Sequence, residues 1–130
     1  PVENVEDTGS SVKFTYGENS AEVDYLVIAG GRRPDVDALG LDAAGIKLTD
    51  NGRVDVDEFQ KTSNDKVYAI GDLVRGAALA HKAMEEGVVA AESAAGEKTH
   101  AVDLDLIPGA TFCHPQVASV GLTEAQAKAG

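Results

Sequence analysis

Two short apolar runs, each stopped by glycine, constrain this chain more than any other feature. Tyr25-Leu26-Val27-Ile28-Ala29 ends at Gly30-Gly31, and Val67-Tyr68-Ala69-Ile70 ends at Gly71-Asp72. A continuous apolar run of strand length, without alternation, is what a strand needs when its sheet is covered on both faces. Downstream of the second run, Leu79 to Ala95 contains no proline, is rich in alanine and meets Gly96, so it predicts a helix. The fold class expected is therefore α/β. At 130 residues, surface scaling permits one compact domain that buries about two-thirds of its unfolded surface.

The remaining punctuation fills in around these elements. Ser11 to Tyr16 alternates, with Val12, Phe14 and Tyr16 on one face; Gly17-Glu18-Asn19-Ser20 is a turn of hairpin length, and Ala21 to Ile28 is the returning strand. A β-hairpin is thus expected around residues 11–29. Residues 35–52 form a connector anchored by Leu39, Leu41 and Ile46 and closed by the turn signal Asp50-Asn51-Gly52. Arg53-Val54-Asp55-Val56-Asp57 alternates with its valines on one side, and Lys66 to Ile70 reads as a short buried strand, giving a strand-and-helix unit over 53–95. On the helix, Ala80, Ala83, Met84, Gly87, Ala91 and Ala94 recur at helical spacing opposite Lys82, Glu85, Glu86, Glu92 and Ser93. A face of alanine and glycine suits tight helix–sheet packing, and equally the close approach of a backbone or a flat ligand. Residues 97–108 read as loop, 110–112 and 117–120 as strand pieces around Cys113-His114-Pro115, and Thr123-Glu124-Ala125-Gln126 has the spacing of a capping box.

Charge and cysteine content narrow the function. The chain has 22 acidic and 11 basic residues, a net charge of −11, which opposes binding to nucleic-acid phosphates or anionic lipid. No apolar run has the length of a membrane span and the N-terminus does not resemble a signal peptide; a soluble, cytoplasmic protein is expected. Cys113 is the only cysteine, and His81, His100 and His114 do not have metal-ligand spacing. Cys113 and His114 are sequence neighbours, and neighbours in extended chain point to opposite sides, so a thiolate–imidazole pair is not expected. No residue stands out as catalytic, and no metal is expected.

A ligand site is nevertheless indicated. Asp72 sits at the carboxyl edge of a strand, where open α/β sheets bind ligands and where a carboxylate can accept hydrogen bonds from sugar hydroxyls. Seven residues after it the helix begins, and a helix amino end offers unpaired N–H groups to a carbonyl or a developing anion.

The segment T-S-x(3)-V-Y-A-I-G-D over residues 62–72, followed by L-A-H-K-A-M-E-E-G over 79–87, resembles the second flavin-binding motif of the FAD- and NAD-linked disulfide oxidoreductases. Its L-A-H-K-A wording is similar to the dihydrolipoamide dehydrogenase branch. Upstream, Val27 to Pro34 resembles the A-x-G-R-x-P stretch closing the family's NAD domain; downstream, Phe112 to Glu124 resembles the start of its interface domain. The resemblance implies partial Rossmann-like pieces in three parts: 1–34 ending the NAD domain, 35–107 the C-terminal part of the FAD domain, and 108–130 opening the interface domain.

The resemblance further implies a cofactor role for five residues. Asp72 would bind the flavin ribitol and Gly71 admit the backbone there; Leu79 and Ala80 would lie at the isoalloxazine, with the Ala80 amide directed at O2; Gly31 would lie near the nicotinamide dinucleotide. The cofactors implied are FAD and NAD. The activity implied for the parent enzyme is oxidation of dihydrolipoyl groups on subunits of 2-oxoacid dehydrogenase complexes. The redox cysteine pair, the glycine-rich dinucleotide loops and the His–Glu base of the family have no counterpart in these residues. An internal fragment is therefore expected, inactive and weakly flavin-binding by itself, from a protein that forms homo-oligomers. Another flavin disulfide reductase, of the glutathione or mercuric type, is the alternative within the class; a truncated module that only self-associates is the alternative outside it.

Overall fold

The computed structural model describes residues 1–130, which divide into two compact units, Pro1–Arg32 and Arg33–Gly130.

The first unit is a three-stranded antiparallel sheet in the order β1 (Val2–Asp7), β2 (Val12–Tyr16), β3 (Asn19–Val23). The hairpin is found, with Tyr16 opposite Asn19 and Gly17-Glu18 as the connection. Gly17 takes φ 57°, the positive value that tight hairpin turns require at their first central position. Strand β1 is not foreshadowed by the sequence pattern, because Val2 and Val5 are out of step with a period of two. The register shifts between Glu3 and Glu6, where Asn4 adopts φ 50° and its Nδ2 donates to Thr15 Oγ1 at 3.0 Å. The bulge thus absorbs the odd spacing.

The apolar run 25–29 departs from expectation. The returning strand ends at Val23, and Tyr25, Val27 and Ile28 are 86%, 82% and 89% exposed. A strand meant for cover on both faces needs neighbours on either side, and the small sheet of this unit supplies none.

In the second unit the core is Val36, Ile46, Val54 and Val74, with Leu41, Ala44, Val56, Val67, Ala69 and Leu73 packed around it. Ile46 and Leu41 anchor the connector as expected. Leu39 does not: it ends the 3₁₀ turn Asp37–Leu39 and is exposed, and Val36, one residue before the turn, takes the inward place. The valines of 53–57 do face the core, but the two expected strands, 53–57 and 66–70, are reduced to the isolated bridges Leu48↔Val54, Val56↔Thr62 and Lys61↔Tyr68. Without a long partner strand in the chain, the backbone of these segments finds single partners rather than a ladder.

Helix α1 runs Ala80–Ala95, and Gly96 at φ 75° closes it by donating its N–H to the Glu92 and Ser93 carbonyls. Its buried face is not the small-residue stripe. Lys82, Glu86, Val89 and Ala90 are buried, whereas Met84, Ala91 and Ala94 are exposed. Beyond it, β4 (Gly109–Thr111) pairs antiparallel with β5 (Val117–Ser119), and α2 (Glu124–Ala129) opens with the capping box of Thr123 and Gln126. The loop 97–108 contains one 3₁₀ turn, Leu104–Leu106, capped by the Asp103 carboxylate.

Candidate functional site

Gly71 is the pivot of the site. Ile70 arrives extended and the chain turns at once into the 3₁₀ turn Gly71–Leu73. Gly71 has φ 76°, and a Cβ there would stand 3.5 Å from the Ala83 methyl. The space would admit a methyl group, so it is the left-handed backbone that requires glycine.

What holds the turn is a pair of charged side chains from α1. The Gly71 N–H donates to Glu86 Oε2 at 2.7 Å, and the Gly71 carbonyl accepts from Lys82 Nζ at 3.1 Å. Lys82 and Glu86 bond each other at 2.8 Å with side chains 0% and 1% exposed. Lys82 reaches further, to the Arg75 carbonyl at 3.0 Å. Arg53 donates to the carbonyls of Val74 and Gly76 at 2.7 and 3.0 Å, and the Val54 N–H donates to the Leu73 carbonyl at 2.9 Å. The carbonyls of Gly71, Leu73, Val74, Arg75 and Gly76 are thereby all satisfied from outside the loop, which leaves it little freedom.

Asp72 stands in contrast to this network. Its carboxylate is exposed and takes part in none of the chain's ion pairs, so a rigid loop presents an acceptor to solvent. Nearby, α1 begins without a capping side chain: Leu79 at the N-cap is extended, and the first turn holds no acidic residue. The leading N–H groups of the helix therefore remain open to an external acceptor. Gly71 and Asp72 lie on the turn that α1 grips through Lys82 and Glu86, and Leu79 and Ala80 form the start of that same helix. Gly31 lies in the other unit, exposed, at φ 108° with open space around the position of a Cβ.

Two residues without an assigned part also find partners. His81 Nε2 donates to the Pro108 carbonyl at 2.8 Å, tying the first turn of α1 to the segment that leads into β4. The exposed Cys113 thiol donates to the Pro115 carbonyl at 3.0 Å. Lys82 and Glu86 are what sequence reasoning missed, since hydropathy places both on the solvent side. Their i,i+4 spacing directly behind a glycine turn was the available signal.

Residues 1–87 match the pyridine nucleotide-disulphide oxidoreductase family, and residues 107–130 match the dimerisation domain of the same family. The chain belongs to this family. It is 45% identical over 131 residues to a dihydrolipoyl dehydrogenase of Bacillus subtilis, covering 98% of this chain and 28% of that protein. A dihydrolipoyl dehydrogenase of Cupriavidus necator is 45% identical over 124 residues, covering 93% and 26%. Among solved structures, LpdA from Mycobacterium tuberculosis superposes with a TM-score of 0.90 at 28% identity, covering 99% of this chain and 28% of that one. The HOCl-induced flavoprotein disulfide reductase RclA from Escherichia coli gives 0.88 at 27% identity, covering 100% and 30%. The chain thus spans between a quarter and a third of these relatives' length. Membership of the family implies a flavin and a pyridine nucleotide as cofactors. No helix is long and apolar enough to cross a membrane.

Proposed function

We propose that this chain is a segment of a dihydrolipoyl dehydrogenase that contributes the ribitol and pyrimidine contacts of FAD. The observation that carries the reading is the exposed Asp72 carboxylate, outside every ion pair, on a turn whose Gly71 N–H and carbonyl are both held by α1, a helix that itself starts without a side-chain cap. A carboxylate without a partner suits the hydroxyls of a ribityl chain, and uncapped N–H groups suit the flavin C2 carbonyl, where negative charge accumulates on reduction. In this assignment Asp72 accepts from ribitol, Gly71 lets the backbone turn beneath it, Leu79 and Ala80 border the isoalloxazine, and the Ala80 N–H donates to O2. Gly31 borders the pyridine nucleotide, NAD. Residues 1–34 belong to the NAD domain, 35–107 to the FAD domain and 108–130 to the interface domain.

The activity proposed for the whole protein is oxidation of dihydrolipoyl groups on subunits of 2-oxoacid dehydrogenase complexes in the cytoplasm, with electrons passing through FAD to NAD⁺. The dihydrolipoyl dehydrogenases at about 45% identity support that choice. The likeness to RclA favours a second reading, a flavin reductase acting on another substrate. Flavin supplies the redox chemistry when bound; the residues of this chain hold and orient it. The chain alone has one thiol and is expected to be inactive and to bind flavin weakly.

The test is Asp72→Ala in the full-length protein. A charge-assisted hydrogen bond is worth about 1.5–3 kcal/mol, so flavin affinity should fall about one to two orders of magnitude. Unchanged flavin content after dialysis would remove the site assignment, and turnover of dihydrolipoamide with NAD⁺ separates the two substrate readings.

A further inference from the structure

We propose that Lys82 and Glu86 are positioning residues for the flavin, acting through Gly71 rather than by contact. The inference rests on the flavin reading above. Glu86 takes the N–H of Gly71 and Lys82 its carbonyl, at 2.7 and 3.1 Å; the two flanking peptide units of one residue are gripped from a single helix. Lys82 also takes the Arg75 carbonyl, so one ammonium joins the first residue of the turn to the middle of the loop that leads to α1. Because Lys82 is the third residue of α1, the same side chain ties the helix start to the loop that carries Asp72. The ribitol acceptor and the helix N–H groups then form one body, with a spacing fixed before any ligand arrives.

Stability alone is a weak reason to bury such a pair. A buried ion pair can often be replaced by apolar residues of similar volume without loss of stability, and this one lies next to Val89 and Ala90, which already supply an apolar face. Its four bonds, three to backbone and one internal, are arranged to define where Gly71 sits.

The test uses the full-length protein and two paired variants. In K82M/E86L both grips on Gly71 are replaced by apolar side chains of similar size; in K82M/E86Q the glutamine restores an acceptor for the Gly71 N–H. Three quantities are read: melting of the flavin-free protein, hydrogen exchange of the Gly71 amide, and the dissociation constant for FAD. We expect K82M/E86L to melt close to wild type, to lose protection at Gly71, and to bind FAD about 10-fold more weakly or worse. K82M/E86Q should recover much of the protection at Gly71 but only part of the affinity, the remaining deficit being the share of the Lys82 bonds to the Gly71 and Arg75 carbonyls. FAD affinity within about twofold of wild type in K82M/E86L, despite lost protection, would overturn the proposal. So would weakened affinity that only follows a lowered melting temperature, without rescue by glutamine. If K82M/E86L does not fold, K82M/E86Q and E86Q decide by the same exchange and affinity readings. Failure of the flavin reading itself looks different, since wild type would then take up no FAD and Asp72→Ala would change nothing.

Discussion

Ala80 allows the helix-start assignment to be tested at a single atom. Proline is well tolerated in the first turn of a helix, where its missing N–H has no intrahelical partner and its fixed φ suits the backbone. Ala80 is exposed and its N-cap neighbour offers no side-chain bond, so Ala80→Pro should leave the fold intact while deleting the N–H assigned to flavin O2. Flavin should stay bound, with the reduced form less stabilised and the reduction potential lowered; an unshifted potential in a flavin titration would contradict the assignment. At this scale the legible residues were those that punctuate. Gly71 and Asp72 stop an apolar run, and that break is visible in the sequence alone. Lys82 and Glu86 were illegible because their burial depends on two backbone groups 11 and 15 residues away in sequence, which no local pattern encodes.

The elements were legible in proportion to how much of their stabilisation is local. Helix α1 has its composition, its length and its glycine stop within one stretch, and the sequence placed its start to within one residue and its end on Ala95. Its orientation was not local, and the charged side chains turned out to face inward. The short strands failed for the same reason: residues 25–29 and 66–70 have the composition of covered strands but depend on partners outside their own segment. Gly96 supports a prediction at this scale. It sits at φ 75°, and nothing lies within 4 Å of the place an alanine methyl would take. Gly96→Ala therefore meets no clash but must adopt a left-handed backbone, costing about 1–2 kcal/mol. Urea denaturation of the full-length protein should show that loss with no change in flavin affinity. A neutral substitution would mean that residue 96 does not hold a left-handed backbone at the helix end.

Each of the two units exposes large apolar side chains: Tyr25, Val27 and Ile28 in the first, and Phe112, Val117, Val120 and Leu122 in the second, are all at least 60% exposed. Side chains of this kind, together with the unpaired edges of a three-stranded and a two-stranded sheet, are surfaces that associate when nothing covers them. The net charge of −11 opposes that association by a repulsion that salt screens within about 8–10 Å. The isolated 130-residue polypeptide should therefore self-associate with rising concentration, and more so as ionic strength increases. It should also be colourless, because in the proposed assignment Asp72 and the start of α1 contact only one end of a dinucleotide whose pyrophosphate needs a helix N-terminus and glycine loop of its own. Light scattering across a concentration and salt series, with an absorption spectrum of the same samples, tests both statements. A monomer at every concentration would show that the exposed apolar residues find cover within a single chain, and a yellow protein that the turn and helix hold flavin without a pyrophosphate site.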